Sequence, residues 1–398
     1  MIGFQDARTM ILDAVQPVGR ITVALERSLN HVLAESIIAA ENIPPFDNSA
    51  MDGYAVRTED LQRTPCMLRI VGEVAAGGVA PKALQPGEVM SIMTGAKIPP
   101  GCDAVVQQEW SESPDKTQVN ITRRVERGHN IRPAGADIHR GATVLEPGVR
   151  IRPQEIGVLA SLGTQFVEVY RRLSVAILAT GNEIVGIDKP LADAKIRNSN
   201  AYTLAALVEE LGCDPLALGV ARDDRDELKR KITEGLKADL LVTTGGISVG
   251  KYDLVMEILR EIGAEVKFWK VNIKPGMPLL FAVHGVKPVF GLPGNPVSSM
   301  VTFLHFVKPA VRRMSGEKTV DTGYSLHAKL EHEIKKIDGK RHFIRGILES
   351  RNGALSVRST GPQVSNILSS LTKANCLIIL PEEGVQFRAG EDVEVELL

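Results

Sequence analysis

Between Ser174 and Gly316 short apolar runs alternate with amphipathic segments, and nearly every apolar run stops at a cluster of glycine and small polar residues. An apolar run without polar alternation is a strand buried on both faces, and regular alternation with helices builds a doubly wound parallel α/β sheet. The sharpest case runs from Ala238 to Asp253. Leu240 to Val242 breaks into Thr243, Thr244, Gly245 and Gly246, and beyond Ser248, Gly250 and Asp253 helical spacing begins at Val255, Ile258, Leu259 and Ile262. A strand, a glycine loop and a helix start turn backbone N–H groups toward an anion. Gly245, Gly250 and Lys251 match the spacing of a P-loop, but Tyr252 stands where the magnesium-binding Ser or Thr belongs, which argues against an NTPase.

Four further strand ends carry the same kind of chemistry. Val175 to Ala179 ends in Thr180, Gly181, Asn182 and Glu183; Leu216 to Val220 ends at Asp223 and Asp224. Arg197, Asn198, Ser199 and Asn200 open a helix with Leu204, Leu207, Val208 and Leu211 on one face. Val266 to Lys274 alternates, placing Phe268, Lys270, Asn272 and Lys274 on one strand face. Val289 to Gly291 runs into Pro293, Gly294, Asn295 and Pro296, where Asn295 suits an N-cap and Pro296 the first position of a helix reaching about Met314. Each loop alone has an ordinary explanation as a turn, a cap or a solvated charge. Together, at the carboxyl ends of parallel strands, they describe a pocket with anion-binding backbone, two lysines and several carboxylates, suited to a phosphate-bearing ligand.

Around this segment the texture differs. Ala7, Met10, Ile11, Ala14 and Val15 predict a first helix, and a second is expected from Ala24 to Ala39, beyond Pro17 and Gly19. Two prolines and an Asp/Asn/Ser cluster from Ile43 to Asp52 make an ordered loop feeding a strand from Tyr54 to Val56. Short strands with glycine and proline turns follow from Leu68 to about Gly141, with Thr94 and Gly95 at a strand end, the place where ligands are often met. A helix ended by Gly163 and a strand from Gln165 to Tyr170 come next. From about Thr319 five strands and Gly-containing turns predict a small β-barrel or sandwich.

Several function classes are disfavoured. With 47 basic and 48 acidic residues the net charge is -1, and aromatics make up only 4%, so neither a nucleic-acid surface nor an anionic membrane is expected as partner. No apolar run approaches a membrane span, and the amino terminus lacks a basic segment before an apolar one, so a cytoplasmic protein is expected. The four cysteines form no CxxC pair and the eight histidines no HExxH spacing, which points to reduced structural thiols and away from zinc.

Several separated stretches, in order, make the chain similar to the MoeA family, the molybdopterin molybdenumtransferases, relatives of the carboxyl-terminal domain of gephyrin. They are Asp47 to Val56 (DNSAMDGYAV), Met93 to Ala96, Thr180 to Glu183, Thr244 to Gly250 (TGGISVG), Lys274 to Gly276, and Gly291 to Ser298 (GLPGNPVS). Arg341 to Gly346 and Gly361 to Ser365 carry the resemblance into the last domain. It implies an elongated linker domain (1–45 with 142–172, the first helix free to pack on the α/β domain), an inserted β-rich domain (46–141), a MogA-like molybdopterin-binding α/β domain (173–317) and a C-terminal β-barrel (318–398). It further implies a homodimer, with the inserted domain of one subunit meeting the α/β domain of the other. The implied reaction inserts molybdate or tungstate into adenylylated molybdopterin, with Mg²⁺ and release of AMP. A MogA-type adenylyltransferase upstream and molybdoenzymes downstream are the implied partners.

The resemblance assigns Asp52, Thr94, Asp137, Glu183, Lys270 and Lys274 to catalysis. Thr180, Gly181, Ser199, Thr244, Gly245, Gly246, Ser248, Gly250, Pro293, Gly294, Asn295 and Pro296 would hold molybdopterin. Lys274, Ser298, Arg345 and Ser365 would hold the oxyanion, and Asp223 and Asp253 would be the Mg²⁺ ligands. The residues suit these roles: glycine-loop N–H groups for phosphates, carboxylates for a divalent ion, and lysines for the leaving phosphate. Asp52 could equally be a turn-capping aspartate and Glu183 a solvated loop carboxylate. One departure stands out, because many family members carry a second lysine where this chain has Met277. Two rivals stand beside the enzyme: a non-catalytic molybdopterin-binding scaffold of the same fold, and a CinA-type nucleotide enzyme sharing only the α/β domain.

Overall fold

The computed structural model describes residues 1–246, 254–320, 325–351 and 353–398. The chain forms two compact units, one of Glu35–Glu146 with Pro153–Gln165, the other of Met1–Ala34, Pro147–Arg152 and Phe166–Leu398.

The smaller unit is built on a six-stranded sheet in which Gly53–Val56 lies between Ala104–Gln107 and Glu88–Ile92, followed by Cys66–Val74, Gln118–Ile121 and Ser111–Glu112. Successive side chains of a strand point to opposite faces. Val56, Val89 and Val106 therefore enter one core, while their neighbours Ala55, Met90 and Val105 enter another. Asn48–Ser49, in the Asx-rich loop, pairs antiparallel with Ile131–Arg132 and so ties that loop to the later part of the unit.

In the larger unit six strands form one sheet: β1 (Ser174–Thr180), β2 (Asp214–Ala221), β3 (Leu240–Thr244), β4 (Glu265–Trp269), β5 (Leu280–His284) and β6 (Lys287–Leu292). Their order is β2-β1-β3-β6-β5-β4. Both faces are covered, so Val175, Ile177, Leu240 and Val242 join one core and Ala176, Leu178 and Leu241 the other. Helix starts follow local chemistry. The Asn198 side chain accepts from Ala201 N–H at 3.1 Å to cap Ser199–Glu210, and Asp224 accepts from Glu227 N–H at 2.9 Å to cap Arg225–Gly235. Asn295 occupies the expected N-cap position before Pro296–Thr302, but its side chain makes no capping bond.

The sheet is mixed where a parallel one was expected. β5 runs antiparallel to both β6 and β4 and forms a tight hairpin with β6 around Gly285 and Val286. Pro275, Gly276 and Pro278 separate its apolar run from the lysine segment, and Gly285 with Val286 turns it back onto β6, so the strand reverses where a helical crossover was expected. Two further expectations fail. The segment from Ala24 to Ala39 is not a helix: Arg20–Ala24 is a strand paired antiparallel with Phe166–Tyr170, and only one 3₁₀ turn follows, Leu25–Arg27. Asn30 adopts φ 66°, a left-handed conformation that Asn tolerates and that stops a helix. Val32 and Leu33 then bridge to Arg150 and Val169, so their apolar spacing serves β pairing.

Nor does Val266 to Lys274 form one alternating strand. β4 ends at Trp269, Lys270 takes φ 94°, and Ile273–Lys274 pairs instead with the strand beginning at Arg341. Lys270 and Lys274 consequently share no strand face. The left-handed residue rotates the chain out of the first sheet.

The C-terminal strands β7 (Ser325–Leu330), β8 (Arg341–Arg351), β9 (Ala354–Ser359), β10 (Cys376–Leu380) and β11 (Asp392–Leu397) close on themselves in the ring β8-β9-β7-β11-β10-β8, a five-stranded barrel. Ala328, Ile344, Val357, Ile378 and Val395 fill its core. The first helix, Phe4–Ala14, packs against the α/β core: Phe4 lies 5.4 Å edge-on from Phe306 and 5.6 Å from Phe343 at ring centroids.

Gly316, at the end of the helix Lys308–Met314, has φ +83°, and an added Cβ would lie 2.2 Å from Tyr170 ring carbons. Gly316→Ala must therefore accept both a strained backbone and a ring displacement, together roughly 3 kcal/mol. A thermal midpoint lowered by several degrees in calorimetry is the expected result.

Candidate functional site

The carboxyl ends of β1, β3 and β6 lie side by side and open a cleft of about 620 Å³. Its wall is made of three loops that the sequence placed at strand ends: Thr180 and Glu183 after β1, Thr244, Gly245 and Gly246 after β3, and residues 293–296 after β6. Ser199, at the start of its helix, and Ser298, in the helix after Pro296, complete the predicted members.

Close backbone approach holds the loops together. Gly245 has φ +91°, and a Cβ there would lie 2.5 Å from the Thr180 carbonyl oxygen; at Gly246, φ +68°, it would lie 2.7 Å from Thr180 Oγ1. Only glycine fits such positions. Gly245 N–H donates to the Leu292 carbonyl at 3.0 Å. The Asn200 side-chain amide then donates to Thr244 Oγ1 at 2.9 Å and to the Gly294 carbonyl at 2.8 Å, joining two strand-end loops to a helix start. Thr180 is 3% exposed, and its hydroxyl has no hydrogen-bond partner among the described residues. A buried hydroxyl left unpaired costs free energy, so a cleft-lining one is suited to a polar ligand.

Other predicted residues are not among those that line the cleft. Gly181 has φ +138° and packs on the Glu183 carboxylate, where a Cβ would meet Oε2 at 2.6 Å. Asp223 faces the same loop: its N–H donates to Asn182 Oδ1 at 3.2 Å and its carboxylate accepts from Asn182 N–H at 3.4 Å. Lys270 lies over the Trp269 ring at 4.1 Å. Lys274 donates to Asp338 at 3.1 Å. Ser248, Gly250 and Asp253 fall outside the described residues.

Arg345 is fully buried, and its guanidinium is turned into the loop that carries Ser365. It donates to Ser370 Oγ at 2.9 Å, to the Val364 carbonyl at 3.1 Å, and to the Pro362 and Gln363 carbonyls at 3.3 Å. Burial pulls its pKa down, and no carboxylate pairs with it in these bonds. The Ser365 carbonyl accepts from Val297 N–H at 3.2 Å, which docks this barrel loop on the first turn of the helix behind the cleft. Asn366, next in sequence, lines the cleft.

Sequence reasoning passed over Arg197, Asn200, Pro278 and Asn366 as cleft residues. Asn200 could have been found, since it sits in the helix-opening stretch Arg197 to Asn200. Pro278 and Asn366 come from segments whose placement depends on the barrel's docking, and no local pattern marks them.

In the smaller unit Asp52 and Thr94 come together. The Thr94 N–H and hydroxyl donate to the same Asp52 oxygen at 2.7 and 2.8 Å, and these two bonds hold the Asp52 carboxyl below its usual pKa. Asp52 is thus an ionised acceptor at neutral pH. Asp137 lies on the exposed turn hydrogen-bonded to the Ile43 carbonyl through its N–H at 3.0 Å, and Asp47 accepts from Ala134 N–H at 2.7 Å in the same turn region.

A glycine cradle at the strand ends of such a sheet is the mark of a ligand-binding α/β domain, and residues 176–313 match the family model described as a probable molybdopterin binding domain. Residues 2–163 match the MoeA N-terminal region (domains I and II), and residues 327–398 the MoeA C-terminal region (domain IV). The chain is 37% identical over 399 residues to the Haemophilus influenzae protein named molybdopterin molybdenumtransferase, covering 100% of this chain and 98% of that one. The protein of the same name from Bacillus subtilis is 37% identical over 384 residues, covering 94% and 89%. The solved molybdopterin biosynthesis moeA protein of Pyrococcus horikoshii OT3 superposes with a TM-score of 0.86 at 31% identity, covering 100% of both chains. The chain belongs to the MoeA family and is a transferase of molybdenum cofactor biosynthesis.

Gly245→Ala tests the cradle. It closes the approach to Thr180 and strains the loop, and molybdopterin affinity measured by fluorescence quenching should fall at least roughly ten-fold, about 1.4 kcal/mol.

Proposed function

We propose that this protein inserts molybdate, or tungstate, into adenylylated molybdopterin and releases AMP. The observation that carries the proposal is the joined cradle after β1, β3 and β6, in which glycine backbone, two threonine hydroxyls and Asn200 converge on one cleft. Gly181 and Gly245 spend their N–H groups on the Ala221 and Leu292 carbonyls, so these glycines serve by leaving room for a phosphate close to the backbone. The unpaired Thr180 hydroxyl supplies a further polar contact.

Asp52, held ionised by Thr94, is assigned to catalysis with Asp137, Glu183, Lys270 and Lys274. Lys274, Ser298 and Ser365 are assigned to the oxyanion, and Arg345 serves that site by fixing the 360–365 loop. Mg²⁺ ordinarily takes one or two carboxylates and completes its shell with substrate phosphates and water. Asp223, on the loop bonded to Asn182, and Asp253, outside the described residues, are assigned as its carboxylates. Bound there, the ion would neutralise charge on the pyrophosphate.

The protein is proposed to act in the cytoplasm as a homodimer, receiving its substrate from a MogA-type adenylyltransferase and passing product to molybdoenzymes. Its cysteines are free thiols, and burial pushes Cys102 and Cys376 up to about 11, which fits a reducing compartment.

Purified protein with adenylylated molybdopterin, molybdate and Mg²⁺ should release AMP. Asp52→Ala should slow release by about a hundred-fold, the scale for loss of a positioned acid–base group. AMP release no faster than without protein would sink the proposal and favour a non-catalytic scaffold. Met277 is half-buried, and its carbonyl accepts from Val271 N–H at 2.9 Å, a bond any residue keeps. Met277→Lys therefore adds a cation without loss of that tie, and calorimetric molybdate affinity should rise several-fold, about 1 kcal/mol.

A further inference from the structure

Lys274 stands at the end of a two-residue strand that pairs in parallel with Arg341 and His342 at the start of β8. The pairing brings a barrel turn against the lysine. Asp338 Oδ2 accepts from Lys274 Nζ at 3.1 Å, and Asp338 Oδ1 accepts from His342 Nε2 at 2.7 Å. Exposure falls steeply along this chain of three: 60% for the Lys274 side chain, 23% for Asp338 and 10% for His342.

The turn itself is pinned. Asn272 donates its amide to the Gly339 carbonyl at 3.0 Å, and Arg341 N–H donates to the Asn272 carbonyl at 3.1 Å. Behind it, the buried Lys336 donates to the carbonyls of Lys340 and Glu382 at 2.8 and 2.9 Å. Asp338 is therefore a fixed acceptor, while Lys274 is an exposed cation on a flexible four-carbon stem. Burial alone would raise the Asp338 pKa, but the bonds from His342 and Lys274 hold it well below the carboxylate range. With the carboxylate ionised, His342 must carry its proton on Nε2.

We infer that Asp338, braced by His342, is a positioning residue that sets the Lys274 ammonium for the incoming oxyanion. The inference rests on the proposed contact between Lys274 and the oxyanion. Met277 leaves that position without a second lysine, so the site depends on where one ammonium stands. A carboxylate so close also opposes an anion, and the two effects predict opposite results for its removal.

Steady-state turnover of the full-length protein separates them, with molybdate and adenylylated molybdopterin each varied. Asp338→Ala should raise KM for molybdate about ten-fold, the scale on which losing a ligand's supporting partner costs. It should leave KM for adenylylated molybdopterin within about two-fold, as expected when the pterin cradle is untouched. Asp338→Asn should restore most of the loss, because its amide oxygen still accepts from Lys274 while its NH2 donates to His342 Nε2 in the other tautomer. Added to Lys274→Ala, Asp338→Ala should change nothing further. If Asp338→Ala folds poorly, His342→Ala, which unbraces the carboxylate, should raise KM for molybdate in the same direction. An unchanged or lowered molybdate KM in Asp338→Ala, with a raised one in Lys274→Ala, overturns the inference and leaves the role of Lys274 intact. An unchanged molybdate KM in Lys274→Ala overturns the underlying contact, and this inference with it.

Discussion

The approach of the Gly245 backbone to the Thr180 carbonyl is the constraint on which the cleft depends. Two strand-end loops can meet that closely only where no Cβ intervenes, and φ +91° at Gly245 supplies the required turn. Asn200 then uses both amide hydrogens to link Thr244 and Gly294, so the loops after β3 and β6 and the helix at Ser199 move as one body. A preorganised polar cradle of this kind would take the phosphate of the proposed substrate without further ordering of its backbone.

The barrel is more than an appendage to this arrangement. Ile273–Lys274 leaves the α/β segment to join β8, and the 360–365 loop returns to dock on the first turn of the helix at Val297. The fully buried Arg345 spends its donors on that loop. A buried guanidinium bonded to carbonyls and a serine, with no carboxylate among those partners, is costly to desolvate. Its cost is justified if the loop must hold one shape, which places Ser365 and Asn366 at the edge of the cleft.

The proposed oxyanion position rests on one exposed ammonium, that of Lys274. Met277 stands where a second lysine is common in the family, and Asp338 pairs with the remaining lysine. Under the proposed function, position more than accumulated charge is what Lys274 would offer an oxyanion. The smaller unit follows the same logic at Asp52, whose ionised state is set by two hydrogen bonds from Thr94.

The sequence by itself determined the strand ends and their chemistry. Thr180, Thr244 with its two glycines, and residues 293–296 were legible because buried strands, glycine loops and helix caps obey local rules. Asp52 and Thr94 were each assigned to catalysis only through the family resemblance, and their hydrogen-bonded pairing came from the structure. Tertiary structure decided what local rules could not. The stretch from Ala24 to Ala39 has helical spacing but spends it on β pairing, because Asn30 breaks the turn and partners far along the chain offer better burial. Lys270 and Lys274 look like one strand face until Lys270 itself turns left-handed, ends β4 and leaves Lys274 to pair with the barrel. Asp338 and Asn366 carried no signal, since their value arises only from the docking of the barrel. Period and capping act over a few residues, whereas register between distant segments depends on which apolar surfaces can be buried together.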